Sequence, residues 1–395
     1  MNKQFLRNIA DIQTGPFGSQ LHKEDYVDIG TPIVTVEHLG NRTFTEQNLP
    51  KVSAEDKARL SKYVLAEGDI VFSRVGSVDR CSYVDTAHDG WMFSGRCLRV
   101  RPNSEIDSLF LYYFFCLEET KQFVRNIAVG ATMPSINTKL LGEVEIDLPS
   151  MEDQRKIAAT LSSLDDKIET NQKINDNLEK QAQSYFQELF VDNADPEWTT
   201  GTISDLGAVV GGSTPSKAKP EYYTESGIAW ITPKDLSINK SKFVSHGEND
   251  ITELGLKNSS AAIMPEGTVL FSSRAPIGYI AIAASEVTTN QGFKSVVPKP
   301  EIGTPFVYFF LKNTLPVIEG MASGSTFKEV SGSTMKNVPA VIPDAETLAK
   351  FSNFCAPIFA QQRILEEQNQ SLATLRDNLL PKLMSGEIDV SAVQL

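Results

Sequence analysis

The chain repeats itself, and this repeat constrains the fold more than any other feature of the sequence. Three segments of the first half return in the second half, in the same order and at nearly the same offset. The paired segments are Gly30–Leu39 with Gly227–Leu236, Glu67–Ser73 with Glu266–Ser272, and Phe110–Phe115 with Phe306–Leu311. Two similar domains in one chain predict a pseudo-two-fold molecule. Such a molecule is suited to reading something that is itself bipartite.

Composition is that of a two-domain globular protein. A chain of 395 residues with 41% hydrophobic and 22% charged residues can form two domains of ordinary size with connecting helices. No run approaches the roughly 18 apolar residues that a membrane span needs, and the first residues lack a signal-peptide pattern. We therefore expect a cytoplasmic protein without a membrane partner.

Charge and metal-binding residue types give little direction. The four cysteines and four histidines are dispersed without metal-ligand spacing, so we expect reduced thiols and no metal site. Net charge is −13, which argues against a nucleic-acid partner, although residues 199–343 are balanced. Charge alone permits DNA binding through local basic loops or basic partner chains, without indicating it.

Each repeat has two parts. Residues 1–149 and 199–343 are rich in short β-branched runs separated by Gly, Pro, Ser and Asn, which predicts loop-rich α+β domains. The aromatic runs are predicted to lie on a short helix packed on each sheet. The polar segment 191–198 (VDNADPEW) is typical of a domain boundary.

Residues 150–190 and 344–386 are predicted to form two long helices, with a tail at 387–395. Their apolar residues follow the alternating 4-3 spacing of a coiled coil, and an offset of 194 superimposes the two registers. The predicted seam includes Ile157, Leu161, Leu164, Ile168, Asn175, Leu178, Ile358, Leu365, Asn369 and Leu372. The fold class is therefore α+β, with two repeated domains, each followed by a long α-helix, and the two helices pairing as a coiled-coil spacer.

Polar and proline residues in the helices give further expectations. Asn175 and Asn369 share one seam position and could satisfy each other across a parallel or antiparallel pair. Pro357 should kink the second helix or start it anew, and Pro381 should end it. Asp165-Asp166-Lys167 superficially suits a nuclease cluster, but we interpret these charges as a solvated helix face.

Catalytic motifs are missing from the sequence. There is no P-loop, no Asn/Asp-Pro-Pro-Tyr/Phe tetrapeptide of an amino-methyltransferase, no dinucleotide-binding glycine motif and no nucleophile elbow. The sequence predicts a non-catalytic chain for recognition and scaffolding.

Three segments of the helical regions carry a family resemblance. They are residues 146–157 (IDLPSMEDQRKI), 164–169 (LDDKIE) and 375–388 (LRDNLLPKLMSGEI). With these segments and the repeat, the full chain resembles the specificity (S) subunit of Type I restriction-modification systems. The resemblance implies two target recognition domains that each read one half of a split sequence in double-stranded DNA.

The resemblance also implies partners and cofactors. The paired helices would set the gap between half-sites and dock two methylation (M) subunits, and restriction (R) subunits would complete the complex. S-adenosylmethionine, ATP and Mg are expected on the partner subunits, with no cofactor in this chain. Methylation of a base needs a catalytic partner that extrudes it.

Polar loop residues are the candidates for DNA contacts. Arg74 and Arg274 follow the repeated Phe-Ser segments, where an arginine could donate two hydrogen bonds to guanine. Serine, threonine and lysine side chains in glycine-containing turns suit phosphates. The predicted set is Ser73, Arg74, Arg96, Thr132, Lys217, Lys234, Ser273, Arg274 and Thr326. Surface ion pairs for the arginines, and plain tight turns for Gly130-Ala131-Thr132 and Gly324-Ser325-Thr326, are the structural alternatives.

Two other function classes compete with DNA recognition. A coiled-coil scaffold that displays two lectin-like or peptide-binding domains would fit the acidic charge and would have no affinity for DNA. A hydrolase would need clustered carboxylates and a histidine in one pocket, a pattern that the sequence does not show.

Overall fold

The computed structural model describes residues 2–16, 18–324 and 328–390, and it divides into two compact units. The first unit combines residues 1–168 with 371–395, and the second comprises residues 169–370. Each unit therefore contains one repeated domain together with a segment of each long helix.

The described residues of the first unit form ten strands. They are β1 (Asn2–Phe5), β2 (Ala10–Thr14), β3 (Tyr26–Val27), β4 (Thr31–Val34), β5 (Lys51–Val52), β6 (Ile70–Ser73), β7 (Cys81–Tyr83), β8 (Met92–Phe93), β9 (Cys97–Pro102) and β10 (Glu145–Leu148). Its helices are α1 (Leu6–Ile9), α2 (Ala54–Arg59), α3 (Ser108–Cys116), α4 (Glu118–Ile127), α5 (Thr138–Leu141) and the first half of α6 (Met151–Gln187).

The strands of the first unit form three sheets. Their orders are β2-β9-β6-β7, β3-β5-β4-β8 and β1-β10. All neighbours are antiparallel except the β4–β8 pair. The pairing of β1 with β10 brings the start of the domain beside the strand that leads into α6.

The second unit repeats this plan, with eleven strands in the part that the structure describes. They are β11 (Thr199–Thr202), β12 (Gly207–Gly211), β13 (Tyr223–Thr224), β14 (Ile228–Ile231), β15 (Phe243–Val244), β16 (Asn249–Ile251), β17 (Val269–Ser273), β18 (Ile277–Ala283), β19 (Thr288–Thr289), β20 (Lys294–Pro298) and β21 (Pro339–Ile342). Its helices are α7 (Ile203–Leu206), α8 (Pro233–Ile238), α9 (Glu253–Lys257), α10 (Thr304–Gly320), α11 (Gly332–Lys336) and the first part of α12 (Ala345–Met384).

Sheet order confirms the repeat. The second unit has sheets β12-β20-β17-β18-β15, β13-β16-β14-β19 and β11-β21, which match those of the first unit with β15 added at one edge. The pair β14–β19 is parallel, as is its counterpart β4–β8. The predicted α+β class with two repeated domains is therefore correct, and the aromatic runs lie on α3 and α10, as predicted.

Both long helices begin at a capped residue. The Ser150 hydroxyl accepts from the Asp153 amide (3.2 Å), and the Asp344 carboxylate accepts from the Thr347 amide (2.9 Å). These caps satisfy amide donors that the first helical turn leaves unpaired. Helix α6 continues into a π-helical turn at Glu188–Asp192.

The ends of the long helices belong to the domain cores. In the first unit, Ile157 and Leu161 of α6 and Leu380 and Leu383 of α12 are buried in the cluster that contains the α3 aromatics. In the second unit, Phe186 of α6 shares a core with residues of α12 and α10. Each long helix thus pairs with the other helix and also contributes to the domain cores.

The predicted seam residues are all buried or half-buried, but the expected pairing of Asn175 with Asn369 is wrong. Asn171 Nδ2 donates to Asn369 Oδ1 (2.8 Å), and Asn175 Nδ2 donates to the Gln362 carbonyl (3.4 Å). These contacts make the helix pair antiparallel within the second unit. A step forward along α6 is therefore a step backward along α12, so equivalent seam positions do not face each other.

The two prolines of α12 do not interrupt it as expected. The helix runs from Ala345 to Met384 through Pro357 and Pro381, both of which are exposed. Proline in a helix interior costs about 3 kcal/mol. Buried neighbours on both sides, Cys355 and Ile358 for the first proline and Leu380 and Leu383 for the second, offset this cost by keeping the flanking turns in the core.

Candidate nucleic-acid interface

Three loops meet at one end of the main sheet in the first unit. They are residues 74–80, 94–96 and 129–135, and we call them the first loop junction. The Arg74 amide donates to the Arg96 carbonyl (2.8 Å), and the Ile136 amide donates to the Arg74 carbonyl (3.0 Å). The Gly76 amide adds a bond to the Pro134 carbonyl (2.8 Å). Backbone bonds thus hold three exposed loops in one arrangement.

The second unit contains the same arrangement. Residues 273–276, 290–293 and the described parts of 323–330 form the second loop junction. The Ser273 amide donates to the Gly292 carbonyl (2.7 Å), and the Val330 amide donates to the Ser273 carbonyl (2.9 Å). A bridge between Ser323 and Glu329 repeats the bridge between Val129 and Ser135. The two junctions are therefore equivalent at the level of single hydrogen bonds.

This equivalence shows that the two predicted arginines occupy different positions. By its hydrogen bonds, Arg74 corresponds to Ser273, whereas Arg274 pairs with Glu329 as Val75 pairs with Ser135. Each junction therefore presents an arginine, but one residue apart along the strand.

The first junction presents a mixture of polar and apolar side chains. Arg74 is half-buried and Nη1 donates to the Gly95 carbonyl (3.0 Å), whereas Arg96 and Thr132 are exposed. Val129 and Met133 are 54% and 66% exposed. Gly130 has φ 104°, and a Cβ there would lie 2.7 Å from the Met133 carbonyl oxygen, so the turn that presents Thr132 requires glycine.

The second junction presents charges. Arg274 Nη1 lies 3.5 Å from Glu329 Oε2, and Lys294 Nζ lies 3.7 Å from Glu329 Oε1. The structure therefore contains the ion pair that was the alternative for Arg274. Lys294 and Glu329 were not predicted from sequence, because only their positions beside Arg274 give them a role. Thr326 lies outside the described residues.

The two predicted serines are not presented to a ligand. Ser73 and Ser273 are 1% and 0% exposed. Their hydroxyls donate to the carbonyls of Val75 (2.8 Å) and Gly292 (3.1 Å). Both side chains therefore hold the loop junctions in place.

The two predicted lysines of the second unit lie on exposed segments. Lys217 is exposed in the loop that follows Gly212, whose Cβ, if present, would lie 2.0 Å from the Asn290 carbonyl oxygen. This close approach brings the Lys217 loop against the second loop junction. Lys234 is exposed on α8, and its Nζ lies 2.6 Å from Glu248 Oε2.

A charged cluster attaches the helices to the domain in the first unit. The Tyr113 hydroxyl donates to Asp165 Oδ2 (2.6 Å), and Arg376 Nη1 donates to Asp165 Oδ1 (2.6 Å). Burial, followed by the charge of Asp165, raises the pKa of Tyr113. The expectation that Asp165 belongs to a solvated face is wrong, since it is 5% exposed. A helix that packs on both a helix and a domain buries a wider arc than a coiled-coil seam.

A different cluster attaches them in the second unit. Glu179 accepts from Lys242 Nζ (2.8 Å), Lys312 Nζ (2.5 Å) and the Tyr308 hydroxyl (3.1 Å). Burial alone would raise the pKa of Glu179, but the two lysines outweigh it and hold the pKa at about 2. Burial also lowers the pKa of Lys242 to about 8, against the opposing effect of Glu179.

Comparison with known proteins decides the family. The family model described as "Type I restriction modification DNA specificity domain" matches residues 1–180 and again residues 196–376. The chain belongs to this family. The two matches follow the repeat and leave outside only residues 181–195, which include the end of α6, and residues 377–395.

Individual relatives agree with the family assignment. The chain is 24% identical over 415 aligned positions to the Type I restriction enzyme HindI specificity subunit of Haemophilus influenzae, covering 85% of this chain and 90% of that one. It is 41% identical over 169 positions to the MjaIX specificity subunit of Methanocaldococcus jannaschii, a match that spans 42% of this chain and 39% of the relative. A crystal structure of a Type I restriction-modification S subunit from M. genitalium has the same fold, with 19% identity, TM-score 0.60 and coverage of 97% and 95%.

Two further observations on the described residues concern membrane-spanning helices and metal sites. None of their helices combines the length and apolarity needed to cross a membrane. The same residues place no group of three or more His, Cys, Asp or Glu side chains where a metal ion could be held.

Proposed function

We propose that this specificity subunit binds double-stranded DNA and reads a split target, with one recognition domain for each half-site. The observation that carries the proposal is the repeated loop junction, which has the same backbone hydrogen bonds and different side chains in the two units. Equivalent frames with different chemistry are suited to two half-sites of unlike sequence.

The helices are proposed to set the gap and to dock partners. Segments of the helices contribute to the core of each domain, which supports a role for them as the spacer between half-sites. Two methylation subunits would dock on this chain, and restriction subunits would join the complex in the cytoplasm. S-adenosylmethionine, ATP and Mg would be bound by those partners, and this chain would hold no cofactor and carry out no catalysis.

The charge of the chain supports a role for partners in DNA binding. At a net charge of −13, the subunit alone repels a polyanion at long range. We expect the isolated chain to bind DNA weakly. The assembled complex should bind tightly, because partner chains would supply phosphate contacts.

Exchange of one domain tests the proposal. In a methylation-null host that also expresses the cognate methylation subunit, residues 1–149 are replaced by the corresponding domain of a related specificity subunit with a different target. Modified-base sequencing should then show one new half-site, with the other half-site and the gap unchanged. A change in both half-sites, or in neither, would contradict the assignment of one reader to each domain.

A further inference from the structure

The repeat allows equivalent positions of the two clusters to be compared. An offset of 194 relates α6 to α12, so Asp165 corresponds to Phe359 and Arg376 to Ala182. The aromatic runs likewise relate Tyr113 to Phe309. The tyrosine, aspartate and arginine of the first unit are thus replaced in the second by two aromatic rings with centroids 6.1 Å apart and an alanine, all buried.

In the second cluster, the comparison starts from the charged residues of the second unit and asks what replaces them in the first. Glu179 corresponds to Ala373, and Lys312 corresponds to Cys116. Lys242 corresponds to Arg42, since the carbonyls of both accept a bond from the neighbouring strand, from Ile282 and Tyr83 respectively (2.7 Å each). Residues 371–384 of α12 therefore bring Arg376 to a buried acid, whereas residues 169–187 of α6 bring Glu179 to the buried Lys242 and the half-exposed Lys312.

We propose that these clusters form a pairing code, in which each recognition domain accepts the helix segment of the opposite half of the chain and rejects that of its own half from a second copy. In a pair of first halves, Asp165 would lose Arg376 and meet Ala182, and Glu179 would meet Arg42 and Cys116 in place of its two lysines. In a pair of second halves, Lys242 and Lys312 would lose Glu179, and Arg376 would enter the aromatic site of Phe309 and Phe359. Glu366 would not replace Glu179, because its carboxylate already accepts from the amides of residues 242 and 243.

A pairing code would prevent the association of like halves that the repeat otherwise permits. The apolar seams of the two helices share one register, so apolar packing alone discriminates poorly between like and unlike halves. An unpaired buried charge is a strong penalty against a wrong partner, even where the correct ion pair adds little net stability. The two clusters place such penalties on both like-half combinations.

Exchange of the code within the full chain tests the proposal. The variant Glu179→Ala/Ala182→Arg/Ala373→Glu/Arg376→Ala keeps the composition and net charge and gives each unit the charges that like-half pairing would bring. We expect the urea midpoint to fall by about 1 M or more. We also expect two copies to associate, because like halves are now complementary, with the mass measured by light scattering.

A matched control exchanges charges on exposed positions of the same helices. The variant Lys173→Glu/Glu367→Lys should keep the wild-type mass, with a midpoint near that of the wild type, since both side chains are exposed. An exchanged-code chain that keeps the wild-type midpoint and mass would overturn the proposal.

A repair variant tests the code if the exchanged chain fails to fold. The variant Ala373→Glu/Arg376→Ala gives the α12 segment of the first unit the charges of the equivalent α6 segment, and it should lower the urea midpoint. Adding Tyr113→Phe, Asp165→Phe and Cys116→Lys completes the set found in the second unit, with Arg42 already present. We expect these three changes to recover at least half of the lost midpoint. A further decrease would show that the residues act as ordinary core positions, and the proposal would be wrong.

Discussion

At the scale of the residue, the ion cluster around Glu179 should make the stability of the second unit depend on pH. Its pKa in the folded chain is about 2, against an ordinary value of 4.5, because Lys242 and Lys312 outweigh the effect of burial. A carboxylate with a depressed pKa stabilises the fold above its unfolded value, and that stabilisation is lost as the pH falls through the folded pKa. The contribution is about 3 kcal/mol at neutral pH, and it declines between about pH 5 and pH 2.

Replacing this carboxylate should change how steeply the free energy of unfolding falls at acid pH. Glu179→Gln is expected to lower the free energy of unfolding at pH 7, because it leaves two lysines without their counter-ion. Between pH 6 and pH 3, the variant should lose about 2 kcal/mol less than the wild type. Urea unfolding across this range measures the difference, with Glu266→Gln as the control at an exposed carboxylate of the same unit. Parallel pH profiles for wild type and Glu179→Gln would contradict the role of the ion cluster.

Arg274 is the residue best placed to test base reading in the second domain. Among the described residues, it forms an ion pair with Glu329 in which both side chains are 38% exposed, so a guanine could compete for its guanidinium. If it reads a guanine, Arg274→Ala should relax one position of the second half-site by about 1–3 kcal/mol, and the first half-site should be unchanged. Modified-base sequencing measures this, with Arg363→Ala as the control at another ion-paired arginine. An unchanged motif would show that Arg274 is structural.

At the scale of the element, the sequence predicted the two long helices, the aromatic helices and the strands of the repeat. Periodicity identifies these elements because each buries a regular stripe of residues. The partners of individual polar residues were not predictable in this way. Asn171 faces Asn369 because the two helices are antiparallel. A repeat of the sequence register does not show whether two helices run parallel or antiparallel. Asp165 is buried because its helix packs on a domain as well as on a helix.

The helix pair also gives a prediction about the gap between half-sites. Because the two helices pair at Asn171 and Asn369, an insertion must be made in both, with one heptad after Asn171 and one after Asn369. Two matched heptads should lengthen the pair by about 10 Å and increase the gap in the methylated motif by about three base pairs. A heptad in one helix alone would shift the seam and is expected to reduce stability. An unchanged gap in the doubly extended chain would exclude the spacer role.

At the scale of the whole molecule, two equivalent units with different polar side chains are the basis of the account. The sequence predicted this organisation from the repeat, and the family match in both halves agrees with it. The candidate site was predicted less completely. Arg74, Arg96, Thr132 and Arg274 do lie at the loop junctions, but Ser73 and Ser273 are buried. Serine after a strand has the same local sequence whether it faces a ligand or the protein interior, so only the fold distinguishes these cases.

The most direct test of the central claim is genome-wide modified-base sequencing in a methylation-null host. The host expresses this chain with its cognate methylation subunit, and the control lacks the chain. The account predicts a split motif with a constant unspecified gap that appears only when the chain is present. If no motif appears, although the methylation subunit is shown to be active with another specificity subunit, the chain is not the reader of a bipartite DNA target.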